Sequence, residues 1–232
     1  MEKKIIGIIG GMGPLATADL FEKIILHTRA SCDQDHLRVL IDSNTNIPDR
    51  TAAILHGGAD PVPELTASAR GLERQGAQVL LMPCNTAHHF YDAVQASTSV
   101  LVLHMIRLTA QALKVRGIQT AGLLATDGTV QTGIYQRCFE NTGIRLLTPD
   151  ASGQQAVMDM IYRGVKAGRR DYDAGEARRA MEELLRRGAE TLILGCTELP
   201  LAVTLYGIDL PVTDPTLELA LGAIRFAGGE AV

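Results

Sequence analysis

The sequence predicts an α/β protein of two similar lobes, each with a mainly parallel sheet, related by pseudo-two-fold symmetry and with a functional cleft between them. Three observations carry that expectation. Short apolar runs alternate with stretches of helical spacing along the whole chain, the pattern of parallel sheets with crossover helices. The stretch Arg74-Gln75-Gly76-Ala77-Gln78-Val79-Leu80-Leu81-Met82-Pro83-Cys84-Asn85-Thr86 reads again as Arg186-Arg187-Gly188-Ala189-Glu190-Thr191-Leu192-Ile193-Leu194-Gly195-Cys196-Thr197-Glu198, at an offset of 112 for both the glycine and the cysteine. With 46% hydrophobic and 21% charged residues over 232 positions, the chain can bury a sizeable core and is too apolar to be disordered.

Taken in order, Lys4–Ile9 ends in glycines and reads as a buried parallel strand. Gly10–Pro14 is a loop, with Pro14 suited to the first turn of a helix over Leu15–Ala30, where Leu20, Ile24 and His27 form one stripe. Arg38–Ile41 is a strand. Asp42–Thr66 is rich in Pro, Gly, Asn and Asp and reads as a long loop with room for one helical turn, and long loops inside compact domains tend to be functional. Glu64–Gln75 is a helix, Gln78–Met82 a strand, and a helix follows near Ala87. Val100–Leu103 and Ile106–Val115 make another strand and helix. Thr120–Leu124 opens the second copy: a strand, the loop Ala125–Thr129, a helix through Glu140, the strand Arg145–Leu147, helices over Gln154–Lys166 and Gly175–Arg187, and the strand Thr191–Leu194 with a helical turn after it. Pro211–Thr213 is the last strand and Leu217–Ala227 the closing helix, both read as returning to the first lobe. The expected lobes are therefore 1–98 plus 210–232, carrying Cys84, and 99–209, carrying Cys196.

Composition excludes several classes. Lys plus Arg total 22 against 26 Asp plus Glu, and no basic stripe is present, so a nucleic-acid partner is not expected. Apolar runs fall far short of the ~20 residues of a membrane span. Met1-Glu2-Lys3-Lys4 leads straight into a strand, so no signal peptide is expected. Four cysteines do not make a disulfide framework in a chain of this length, so a cytoplasmic protein with reduced thiols is expected. No C-x-x-C pair supports zinc, and Cys32 with His36 is a weak pair better read as a helix-end surface feature. Cys138 reads as core. The glycine loop fits neither G-x-G-x-x-G nor a Walker A pattern. Its amides could hold a small carboxylate, or it could simply be a tight turn.

The chemistry rests on Cys84 and Cys196. Each ends a buried strand, where open α/β sheets bind ligands, and each precedes residues suited to a helix start, Asn85-Thr86 and Thr197-Glu198. A following helix favours the thiolate. One thiolate and one thiol on opposite faces of a bound Cα could remove a proton from one side and return one on the other. A cysteine hydrolase, with His88 a helical turn past Cys84 as base, is a weaker alternative, since nothing comparable follows Cys196.

Several further stretches extend the pattern: Ile8-Ile9-Gly10-Gly11-Met12-Gly13-Pro14, Ile47-Pro48-Asp49-Arg50-Thr51, Pro83-Cys84-Asn85-Thr86-Ala87-His88, Leu124-Ala125-Thr126-Asp127-Gly128-Thr129, Gly164-Val165-Lys166-Ala167-Gly168 and Gly195-Cys196-Thr197-Glu198. Together, and in this order over nearly the whole chain, they make the sequence resemble the cofactor-independent aspartate/glutamate racemase family, nearest its aspartate racemase branch. The resemblance implies Cys84 and Cys196 as the acid/base pair, with no cofactor and no metal. It implies Met12, Asn85, Thr86, Thr197 and Glu198 lining the substrate site, Arg50 and Lys166 as its cations, and Thr126 and Thr129 as further candidates. An Arg can grip a carboxylate bidentately, as an acidic amino acid would require. The family is often dimeric, so a homodimer is expected. One departure stands out: cell-wall glutamate racemases typically carry His after Cys-Thr, where this chain has Glu198, and their first loop has an Asp-Ser pair that is missing here. The presence of both cysteines favours conversion in both directions. The implied activity is racemisation of aspartate, with glutamate as a second substrate. The alternatives are another cleft-cysteine enzyme (maleate isomerase, hydantoin racemase or malonate decarboxylase-like) and a non-catalytic amino-acid-binding protein.

Overall fold

The computed structural model describes residues 3–232, so Met1 and Glu2 lie outside the described residues. The chain divides into two compact units. One holds the chain up to Leu108 together with Thr216–Val232, and the other holds Thr109–Pro215.

The first unit is built on four parallel strands in the order β2-β1-β3-β4: β1 (Ile6–Gly10), β2 (Val39–Ser43), β3 (Val79–Leu81) and β4 (Val102–Leu103). Alternation along the strands serves both faces. Ile6, Ile8, Val79 and Leu81 pack against Leu20 and Ile24 of α1 (Pro14–Leu26) and against Leu219, Ala220 and Ile224 of α11 (Pro215–Phe226). Ile9 and Leu80 point the other way, to Leu65, Ala69 and Leu72 of α3 (Val62–Arg74).

The second unit repeats the order as β6-β5-β7-β8, again all parallel: β5 (Thr120–Ala125), β6 (Arg145–Leu147), β7 (Thr191–Gly195) and β8 (Val212–Thr213). Its core joins Leu192 and Leu194 to Val157 of α8 (Ala151–Asp159) and to Ala177, Met181 and Leu184 of α9 (Gly175–Arg186).

The 112-residue repeat is deeper than the paired motifs. The buried stripe Leu65, Ala69, Leu72 of α3 recurs as Ala177, Met181, Leu184 of α9. Both helices end on a glycine with positive φ, Gly76 at 95° and Gly188 at 96°, which an L side chain rarely adopts. The same carbonyls are capped in each: Ala77 N–H donates to Leu72 O at 3.0 Å, and Ala189 N–H to Leu184 O at 3.0 Å. In each sheet the helix lies so close to the central strand that it needs a glycine there. A Cβ on Gly7 would fall 2.7 Å from a Leu80 methyl and 3.3 Å from Leu72 Cβ, and one on Gly122 2.7 Å from a Leu192 methyl and 3.2 Å from Leu184 Cβ.

Two strands depart from the sequence reading. Val102–Leu103 belongs to the first sheet, paired with β3, and Val212–Thr213 to the second, paired with β7. A β-α-β crossover lays each new parallel strand beside the one before it, so the boundary falls inside the helix after each sheet's last strand. These helices are α5 (Met105–Val115) and α11, and of the closing segment only α11 returns to the first unit.

The long loop also holds more helix than expected. Asp49 accepts from Ala52 N–H at 2.7 Å and caps α2 (Arg50–Leu55). The expected helix over Gln154–Lys166 is α8 followed by a π-helical stretch, Met160–Val165. Among the described residues no helix is long and apolar enough to cross a membrane, and no group of three or more His, Cys, Asp or Glu could hold a metal ion.

Candidate active site

Cys84 lies just past β3 and is 5% exposed; Cys196 follows β7 directly and is 7% exposed. Matched strands thus deliver two buried thiols to matched strand ends. Cys32 is exposed and Cys138 half-buried, so neither shares that setting, and the structure places Cys138 at the edge of the core and not within it.

The segments after the two cysteines differ from the expectation. Asn85 and Glu198 stand at helix N-cap positions, but neither side chain caps its helix. After Cys84 comes a 3₁₀ turn, Thr86–Phe90, running into α4 (Tyr91–Ala96); after Cys196 comes α10 (Leu199–Leu205). Both helices are short, so the dipole each offers a thiolate is small.

At Cys196 the side chains decide. Its Sγ–H donates to Glu198 Oε2 at 3.0 Å, and Glu198 Oε1 receives Lys166 Nζ at 2.8 Å. Thr197 Oγ1 lies 3.5 Å from the same Oε2. Burial raises the Cys196 thiol well above its ordinary pKa, and the Glu198 charge and its hydrogen bond push the same way; the Glu198 amide and the Lys166 ammonium pull against them. The expectation of a helix-stabilised thiolate is therefore reversed at this position: Cys196 rests as a thiol beside a carboxylate able to take its proton.

Lys166 owes its place to the π-helical stretch. Its N–H donates to Ile161 O, five residues back, at 2.9 Å, and π turns are frequent at functional sites. Its side chain is 28% exposed and passes 5.6 Å from the centre of the Tyr162 ring.

Thr126 and Thr129 are buried and joined to each other, Oγ1 to Oγ1 at 3.2 Å, with Thr126 accepting from Thr129 N–H as the N-cap of α6 (Asp127–Gln131). Gln154 joins this group without any signal in the sequence. Its amide donates to Ala125 O at 2.9 Å and Asp127 Oδ1 at 2.8 Å, pinning the loop after β5 from α8. No local pattern marks that contact, which spans 29 residues.

In the first unit Arg50 is buried as the first residue of α2. Its Nη1 donates to Pro48 O at 3.0 Å and Ile47 O at 3.3 Å, and its Nη2 to Met12 O at 3.4 Å. A single guanidinium so ties the glycine loop to the Asp42–Thr66 loop. Met12, Asn85 and Thr86 are buried too. The Gly11 amide goes to Thr17 Oγ1 at 2.9 Å, so this part of the glycine loop is a closed turn with its amide committed. His88 does not serve the Cys84 thiol as a base: its Nδ1 meets the Cys84 carbonyl oxygen at 2.8 Å.

Known proteins are similar to this chain over nearly its whole length. An aspartate racemase from Picrophilus torridus is 35% identical in a match covering 99% of this chain and 96% of that one, with a TM-score of 0.85. An aspartate racemase homologue from Pyrococcus horikoshii OT3 is 26% identical, covering 97% of this chain and 99% of that one, with a TM-score of 0.77. The broad specificity amino-acid racemase RacX of Bacillus subtilis is 27% identical over 95% of this chain and 96% of its own. The Asp/Glu/hydantoin racemase family model matches residues 9–221, taking in both cysteines, and the chain belongs to that family.

Proposed function

We propose that this chain racemises an acidic amino acid, aspartate first and glutamate second, without a cofactor, by two thiols working on opposite faces of one Cα. The thiolate of one cysteine takes the Cα proton and becomes a thiol. The electron pair left on carbon spreads into the α-carboxylate. The other cysteine gives its proton to the opposite face and becomes the thiolate, so each turnover conserves protons and exchanges the two roles. Water excluded from the site would strengthen every charge interaction there.

The observation that carries this reading is the matched pair itself: two sheets of one strand order, each presenting a buried cysteine at the equivalent strand end. When Cys196 is the base, Glu198 Oε2 accepts the Sγ proton first, and Lys166 supplies positive charge beside the new thiolate. Arg50, held by three carbonyls, offers a fixed cation for a carboxylate of the substrate. The 35% identity to an aspartate racemase favours aspartate over glutamate.

The test is interconversion of enantiomers by chiral chromatography, without added cofactor, on aspartate, glutamate and a neutral amino acid. In heavy water either enantiomer of the true substrate should gain deuterium at Cα. A protein that binds aspartate but exchanges no Cα proton is a binding protein and not a racemase. Activity confined to the neutral substrate would remove the acidic specificity.

A further inference from the structure

The imidazole of His88 lies inside the first unit, 2% exposed, with both ring nitrogens engaged. Met105 N–H, at the first residue of α5, donates to Nε2 at 3.1 Å. Since Nε2 accepts, the ring proton sits on Nδ1, which donates to Cys84 O at 2.8 Å. The 3₁₀ winding sends the His88 main-chain N–H to Asn85 O at 3.1 Å, so one residue grips two successive carbonyls, that of the cysteine and the next.

The ring is held from every side. Tyr91 of α4 is nearly parallel to it with centroids 6.1 Å apart, and His104 lies at 4.7 Å. Tyr91 Oη donates to Val102 O at 2.8 Å, anchoring the assembly to β4, and Arg107 sits 5.7 Å from the Tyr91 ring centre. A neutral, doubly bonded imidazole thus rivets the backbone of Cys84 to the start of α5.

We propose that His88 is a positioning residue that sets the Cys84 thiol through the Cys84 carbonyl, and that this one hydrogen bond, not the imidazole as an acid or base, is its contribution to the reaction. The proposal rests on the racemase reading. Proton transfer to carbon is sensitive to distance, so a freed Cys84 carbonyl lowers turnover more than substrate binding.

Two variants separate the arms of the ring. His88→Asn places an amide N–H where Nδ1 stood and keeps the Cys84 contact. His88→Gln places its amide at the Nε2 end, where it can accept from Met105 N–H, and leaves the Cys84 carbonyl ungripped. The measurements are kcat and KM for aspartate in both directions, thermal unfolding, and the rate of iodoacetamide alkylation of Cys84 followed on its own peptide. We expect His88→Gln to lower kcat roughly tenfold with KM nearly constant and to change the Cys84 alkylation rate, while His88→Asn stays within about threefold of the parent despite a comparable loss of thermal stability. Equal losses of kcat in both variants, or none in either, would overturn the proposal and leave His88 a packing residue. If the parent protein neither interconverts aspartate nor exchanges its Cα proton, the racemase reading fails by itself. Alkylation then still decides the positioning: a rate altered in His88→Gln alone supports it, and one rate for all three proteins overturns it.

Discussion

The ends of β3 and β7 are the same scaffold used in two ways. Strand order, the helix that precedes each strand, its glycine stop and the cysteine all recur at matched places. The side chains around the sulfurs do not. Cys84 is held by its backbone, through a buried histidine, whereas Cys196 is engaged at the sulfur itself, by Glu198 with Lys166 behind it. The repeated scaffold sets two thiols in equivalent places, one beside a histidine that holds its backbone and the other hydrogen-bonded to a carboxylate. A two-way racemase needs two bases but does not need them to be alike.

The comparison can be broken outright. Cys84→Ser and Cys196→Ser should each lower racemisation by about 10²–10⁴-fold, the usual worth of a positioned acid or base, when enantiomer interconversion is followed by chiral chromatography. Full activity in either would end the two-base reading.

Acid should expose the histidine mount. Burial depresses His88 to about 4 and His104 to about 3, against an ordinary 6.5. The unfolded chain therefore binds these protons first, so stability is complete above about pH 6.5 and is lost as pH falls toward 4. For His88 the loss is about 3 kcal/mol, from about 1.4 kcal/mol per pKa unit. Urea midpoints at pH 7, 5.5 and 4.5 should fall steadily, and less steeply in His88→Asn. A flat profile would mean the imidazole is not buried neutral.

A smaller effect should appear at the other cysteine. Glu198→Gln keeps the size of the side chain but removes the charge that raises Cys196. The onset of Cys196 alkylation should move to lower pH, and kcat/KM for racemisation should fall roughly tenfold, equally from either enantiomer because the equilibrium constant of a racemisation is one. Cys84 alkylation should not move. A shift at both cysteines would show that the two settings are not independent.

The smallest effect tests the scaffold. Gly76→Ala and Gly188→Ala should each cost about 1 kcal/mol in denaturant titration, because both sites are open to a Cβ but need positive φ. Unequal costs would show that the repeat is less regular in energy than in geometry.

Much of this was legible in the chain. Strand alternation, the 112-residue echo and the glycine stops depend on neighbours in sequence, and so do the two cysteines at strand ends. Local chemistry could also have revealed α2, since Asp49 followed by Arg50-Thr51-Ala52 is a capped helix start. Which sheet receives Val102–Leu103 or Val212–Thr213 was not legible, because a two-residue strand carries no address and only pairing with β3 or β7 assigns it.

The sequence by itself determined the α/β class, the internal repeat and the placing of a cysteine at each matched strand end, since periodicity and spacing are properties of the chain alone. Tertiary structure decided the surroundings of each cysteine. The His88 imidazole could have reached the Cys84 sulfur or its carbonyl, and only the packing of α4 and α5 around the ring selects the carbonyl. Lys166 meets Glu198 across 32 residues because a π turn rotates it there. Hydrogen bonds are short-ranged and directional, so contacts between residues distant in sequence exist only once the fold has brought them within about 3 Å.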